Sequence, residues 1–183
     1  PQDPTRVVKV LRPLALSTGR SRLATFTERH FPSIRTRWAR KEYQEYLRLM
    51  LGGWGPDFHP PIAHMYGFVM TNKGLACISD AVLEDGQLGQ TVQTKCKDQT
   101  LTPGDLDLFN EAIQRLYHYD IRAGDMTARN FVFGQRQIGD TLGARECVLV
   151  DGVGDIHAIP VRSWARFFNR FGLDDSCKRL ARR

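Results

Sequence analysis

Three oxygen-bearing side chains stand at spacings that could do chemistry. Asp125 is followed five residues later by Asn130, and Asp151 opens Asp151-Gly152-Val153-Gly154 at the end of a later apolar run. Between them, Phe131-Val132-Phe133 and Cys147 to Val150 read as two short strands. A loop therefore presents Asp125 and Asn130, a hairpin follows, and a third oxygen donor sits at the hairpin's exit. Mg²⁺ takes carboxylate and carbonyl oxygens and shares its shell with substrate phosphates. Two Asp and an Asn on converging loops can hold Mg²⁺ on a triphosphate while one Asp orients an attacking hydroxyl. The plain alternative is that all three are turn residues, because Asp, Asn and Gly favour turns.

The elements that must position these residues can be read in both directions along the chain. Thr102 caps a helix with Pro103 at its first position, and Leu106, Phe109, Ile113, Leu116 and Tyr117 follow helical spacing. That core helix leads into the Asp125 loop. His118, on the same helix, reads as a packed or surface residue. Residues 87–101 read as polar loop, and 134–146 as a long hairpin loop. Upstream, Arg6 to Leu11 is β-branched and strand-like, interrupted by Lys9. Residues 12–32 read as an irregular basic connection. Ser33 is then a candidate N-cap for a helix reaching about Leu51. Trp38, Ala39, Tyr46, Leu49 and Met50 share one face of that helix; Glu42 falls within the face and Glu45 towards its margin. A carboxylate on a buried stripe needs a cation, because an unpaired buried charge is expensive. Lys9 is the natural partner for Glu42, with surface links among Arg37, Lys41 and Glu45 as the alternative. Gly52-Gly53-Trp54-Gly55-Pro56 ends the helix. Ile62 to Met70 and Leu75 to Leu83 read as two strands joined near Thr71-Asn72-Lys73-Gly74, and Glu84-Asp85-Gly86 as a turn. After Asp155, Ile156 to Ile159 reads as a short strand stopped by Pro160. Residues 161–172 read as an amphipathic helix whose aromatics (Trp164, Phe167, Phe168, Phe171) face a core, before a basic end, KRLARR.

A chain of 183 residues is expected to form one domain, at most bilobed, and 42% hydrophobic content supports a real core. No apolar run approaches membrane-spanning length and no signal peptide heads the chain. Four cysteines are scattered without a C-x-x-C pair, which argues against a zinc site and a disulfide scaffold and for free thiols in a reducing cytoplasm. A net charge of +6 favours an anionic partner: a nucleotide, a phosphorylated sugar, a lipid headgroup or nucleic acid. A basic nucleic-acid-binding domain stays open on charge alone, although no recognition-helix, zinc or single-strand-binding motif is present. The first residue is Pro1 rather than Met, so a longer native chain is expected.

The stretch from Tyr117 to Asp155 resembles the catalytic core of the protein-kinase-like fold. Within that fold, Val7 to Val10, Arg40 to Tyr46, Tyr66 to Gly74, the catalytic stretch and Asp151 to Trp164 resemble the small bacterial family of the PhoP regulatory network protein, YrbL. The resemblance implies an α+β fold: a small antiparallel sheet lobe with one helix over residues 1–86, and a reduced, mostly helical lobe over 87–183. The second lobe would hold a catalytic loop at 122–130 and a metal loop at 151–154. It further implies ATP and Mg²⁺ as cofactors, Asp125 as the catalytic residue, Asn130 and Asp151 as metal ligands, Lys9 on the nucleotide phosphates and Glu42 fixing Lys9. Ala81 to Gly86 would be the hinge beside an adenine ring. Two departures stand out: Ala123-Gly124 replaces the usual His-Arg before the Asp, and Gly152 replaces the usual Phe. No glycine precedes Lys9, so the loop that would cover the phosphates is missing from this sequence. The short stretch after Asp151 leaves little room for a peptide-docking surface, so the expected acceptor is small: a sugar, a lipid headgroup or a metabolite. A pseudokinase that binds nucleotide or a protein partner without turnover is the competing expectation.

Overall fold

The structure, a computed structural model, describes residues 3–11, 37–53, 55–138, 141–154 and 166–181. Its first strand, β1 (Arg6–Val10), lies antiparallel to β3 (Gly74–Asp80), which pairs on its other edge with β2 (Met65–Thr71). The register sets Lys9 opposite Cys77. The β2–β3 hairpin turns at the residues predicted for it, although its strands are shorter than their apolar runs. Ile62 instead bridges to Leu149, and Leu83 belongs to the next hairpin. That hairpin joins β4 (Leu83–Glu84) to β5 (Gln87–Leu88) across Asp85 and Gly86, both at positive φ, as a tight two-residue turn requires.

Four helices occur among the described residues. Helix α1 (Arg37–Gly52) covers the end of the predicted 33–51 helix that lies within those residues; Ser33 lies outside them. Its inner face carries Tyr46 and Leu49, together with Glu45, which the helical wheel puts nearer the margin. Trp38 is not on that face: it stands more than half exposed at the start of the helix. Helix α2 (Val92–Lys97) corrects the loop expected over 87–101. The segment is polar and short, so no apolar period announced it. Its start is fixed by the Thr91 side chain accepting from the Thr94 N–H. Helix α3 (Pro103–His118) has the predicted Thr102 cap, closed into a capping box by Asp105.

Strands β6 (Phe131–Gly134) and β9 (Glu146–Leu149) pair antiparallel and are buried along their whole length. The loop expected between them carries a further small hairpin, β7 (Gln137–Ile138) with β8 (Thr141–Leu142). Helix α4 (Arg166–Ala181) runs further than the predicted 161–172 helix, and Phe171 on it is exposed rather than in the core. Trp164, the 156–159 strand and the 12–32 connection lie outside the described residues. The core gathers Tyr46 and Leu49 from α1, Ala112 and Leu116 from α3, Phe131 and Phe133 from β6, and Cys147 and Leu149 from β9, with Leu173 of α4. Burying such apolar side chains is worth about 1.5–3 kcal/mol each before the entropy of ordering them is subtracted. It also fixes α1 and the β6–β9 hairpin on one core, the two supports of the candidate residues.

Candidate functional site

The residues around Asp125 and Asp151 form two loops bonded to each other. Gly124 N–H donates to Gly152 O at 3.0 Å, Asp125 N–H to the same carbonyl at 3.2 Å, and Gly154 N–H to Arg122 O at 2.6 Å. Val150 N–H donates to Asn130 O at 2.8 Å, which holds the β6 entry against the β9 exit. The β6–β9 hairpin therefore returns the chain so that two acid-bearing loops, distant in sequence, share one backbone network.

Gly152 and Gly154 make this close approach possible. Both have positive φ, +83° and +102°. A Cβ at Gly152 would lie 2.5 Å from Asp125 O, and one at Gly154 would lie 2.9 Å from Lys41 O on α1. Gly152 thus has a local reason: no side chain fits between the two loops. The second glycine lets the Asp151 loop touch α1 beside Glu42.

Lys9 lies where β1, α1 and the Asp151 loop meet. Its Nζ is 3.6 Å from Glu42 Oε1 and 3.2 Å from Asp151 Oδ1. The Lys9–Glu42 pair inferred from the buried stripe is therefore present, and Asp151 joins it. Burial works against the ammonium, but two carboxylates outweigh it and push the Lys9 pKa up. Glu42 is the weaker member. Burial pushes its pKa up to about 7; Lys9 only partly offsets this, and Asp151 adds repulsion. Its buried Oε1 has no hydrogen-bond partner among the described residues.

Asn130 turns its amide nitrogen inward. Nδ2 donates to Asp125 O at 2.9 Å and approaches Asp125 Oδ2 at 3.3 Å. This leaves the amide oxygen as the atom it can offer a cation. Asp151 Oδ1 accepts from the Gly152 N–H at 2.8 Å, and its side chain is half exposed. Among the described residues no three His, Cys, Asp or Glu side chains group into a metal cage. A divalent ion here would need further oxygens from a ligand, which is how Mg²⁺ ordinarily binds beside phosphates.

Two further residues bear on the site. Glu45, buried on α1, accepts from Arg48 Nη2 at 2.6 Å and Nε at 3.0 Å, from the Arg122 N–H at 3.0 Å, and from Arg122 Nη1 at 3.3 Å. It ties α1, and so Glu42, to the residue that opens the Asp125 loop. Arg122 lies far away in sequence, so only the fold reveals this contact. Arg129, exposed, places Nη2 3.3 Å from Asp125 Oδ2. Its i,i+4 spacing from Asp125 is that of an ordinary surface pair, and nothing in the residue pattern sets it apart.

A sheet lysine, a helix glutamate and two bonded loops bearing Asp and Asn define a mixed α+β protein with one polar cluster at the junction of its parts. The chain belongs to the family described as PhoP regulatory network protein YrbL, which matches residues 1–183. No curated protein matches it. Among the described residues, no helix is long and apolar enough to cross a membrane.

Proposed function

We propose that this protein has a protein-kinase-like fold and transfers the γ-phosphoryl group of ATP, with Mg²⁺, to a small hydroxyl-bearing acceptor. The observation that carries the proposal is Lys9 Nζ lying between Glu42 and Asp151, beside the bonded Asp125 and Asp151 loops. A lysine held by two carboxylates is charged and oriented, as a residue meeting α- and β-phosphates must be. Asp151 and the Asn130 amide oxygen would hold Mg²⁺ together with phosphate oxygens; the bound ion would supply neutralisation of the charge on the transferring group. Asp125 Oδ2 would accept a hydrogen bond from the acceptor hydroxyl and orient it in line. Glu42, tied through α1 and Glu45 to the Asp125 loop, would keep Lys9 in place.

The acceptor belongs to the class of sugars, lipid headgroups or small metabolites. A second reading, a nucleotide- or partner-binding module without turnover, is favoured by one observation. Arg129 already occupies the Asp125 oxygen that would meet the acceptor. Phosphate release from ATP, measured on the native chain across candidate sugars and alcohols, separates the two. Under the proposal Asp125→Ala lowers transfer while ATP binding persists, because acceptor positioning acts mainly in the transition state. ATP binding with no turnover for any acceptor supports the second reading.

A further inference from the structure

We propose that the outer edge of β2 pairs antiparallel with the same edge of a second copy of this chain, joining two three-stranded sheets across a two-fold axis at Val69. None of Lys9, Glu42, Asp125, Asn130 or Asp151 lies on β2, so the pairing does not depend on the function proposed above. β2 ends the β1–β3–β2 order, and among the described residues no backbone group bonds to its free side. Such a row of unpaired N–H and C=O groups is a template for another strand. Charged side chains commonly blunt an edge. Met65-Tyr66-Gly67-Phe68-Val69-Met70-Thr71 has none, whereas β1, the opposite edge, carries Arg6 and Lys9. A chain of net charge +6 meets its own copy with least repulsion where its surface is uncharged.

The register follows from the strand itself. A bulge between Met65 and Gly67 interrupts β2 at one end and the turn to β3 closes it at the other, which leaves residues 67–71 as regular edge. An axis through Val69 is the one that pairs all five. Side chains alternate along a strand, so Phe68 and Met70 share one face and Val69 stands on the other. Antiparallel pairing about Val69 then sets Phe68 of each copy beside Met70 of the other, a favourable sulfur–aromatic contact. Val69 meets Val69, a β-branched cross-strand pair, and Gly67 meets Thr71. Lys73, the charge in the β2–β3 turn, falls opposite Met65 of the second copy rather than opposite itself.

The exposed surface sets the strength. Tyr66, Phe68, Val69 and Met70 keep 45%, 42%, 39% and 74% of their surface in water. The Phe68 ring already leans edge-on against Tyr43 of α1 at 5.3 Å, so its free side is presented in a fixed orientation. Covering the exposed parts of these four side chains on both copies buries roughly 900 Å² in total, at the low, transient end of specific interfaces. The dimer is therefore weak and concentration-dependent. Its backbone bonds supply the pairing, and the Phe68–Met70 and Val69–Val69 contacts supply the choice of partner.

The test is sedimentation equilibrium of the 183-residue chain. The dimer fraction is expected to rise by mass action between about 10 µM and 1 mM. Val69→Lys places two ammonium groups across the axis and should abolish the rise, while Val69→Thr, β-branched and neutral, should keep it. Should Val69→Lys disturb the fold, Met70→Lys, at the most exposed position of the strand, serves in its place. Val69→Cys reads the register. Directly opposed residues of an antiparallel pair have Cα atoms about 4.5–5.5 Å apart, within disulfide range, so this variant should oxidise to a covalent dimer. The parent, whose Cys96 is exposed, and Leu88→Cys, exposed on β5, supply the background and should not. A monomer throughout the range, a dimer indifferent to both lysine variants, or equal crosslinking through Leu88→Cys would overturn the proposal. A chain that stays monomeric yet binds a synthetic β2 peptide would give the edge to another protein's strand and overturn the pairing of copies.

Discussion

Replacing Glu45 with Ala removes the carboxylate that joins α1 to the start of the Asp125 loop. The variant loses four contacts at once: two from Arg48, the Arg122 backbone N–H and the Arg122 guanidinium. Removing one partner of a fully buried pair costs about 3–5 kcal/mol, chiefly because the remaining charge is left unpaired. Here the Arg48 and Arg122 side chains retain 35% and 22% of their accessibility. Water can therefore re-solvate part of each guanidinium, which lowers the expected cost to about 2–4 kcal/mol. Glu45→Gln keeps the shape and one acceptor and should cost about 1–2 kcal/mol. Urea unfolding followed by tryptophan fluorescence reads both, with the slope checked for constancy so that the midpoint reports stability. A Glu45→Ala variant within about 0.5 kcal/mol of the parent, the range of ordinary surface substitutions, would refute the role assigned to Glu45.

Three further outcomes follow from the same geometry. Gly152→Ala should destabilise by at least about 1 kcal/mol from its left-handed backbone alone, and more as the new Cβ displaces Asp125 O, read by the same unfolding assay. Glu42 has a folded pKa raised to about 7 from 4.5, so its favourable contribution is full below pH 4.5 and is lost as pH rises through 7. Glu42→Gln should abolish that slope, gaining up to about 3 kcal/mol on the parent at pH 8 and nothing at pH 4; identical pH–stability curves would contradict the assignment. Asp105 behaves oppositely: burial would raise its pKa, but hydrogen bonds from Thr102, Arg145 and Lys95 hold it well below the usual carboxylate range. Its stabilising contribution is present above the ordinary carboxylate pKa and lost on acidification, so Asp105→Asn should lessen acid unfolding's dependence on pH.

What could be read from the sequence was set by local rules. The Thr102–Pro103 start of α3, the turn between β2 and β3 and the buried β6 and β9 runs carry their own capping, turn and β-branched signals. The Lys9–Glu42 pair was legible because Glu42 falls on an apolar helix stripe, where a lone charge is costly. The contact of Asp151 with Lys9 was not, because it depends on how the β6–β9 hairpin folds back onto α1. The burial of Glu45 is hidden for a similar reason: its partner Arg122 lies far along the chain, and a wheel drawn on α1 alone puts Glu45 at the edge of the buried face. Helix α2 escaped because its stability comes from tertiary contacts, with Lys95 buried against Asp105, rather than from an apolar period.

The measurement that tests the proposed function most directly is calorimetric titration of the native chain with ATP in the presence and absence of Mg²⁺, repeated with Asp151→Ala and Lys9→Met. If Lys9, Asp151 and Asn130 form a nucleotide–metal site, ATP binds with Mg²⁺, and either substitution weakens it by at least about tenfold, the loss expected from one charge-assisted contact. ATP binding that is indifferent to Mg²⁺ and to Asp151→Ala, or no ATP binding at all, would contradict the account.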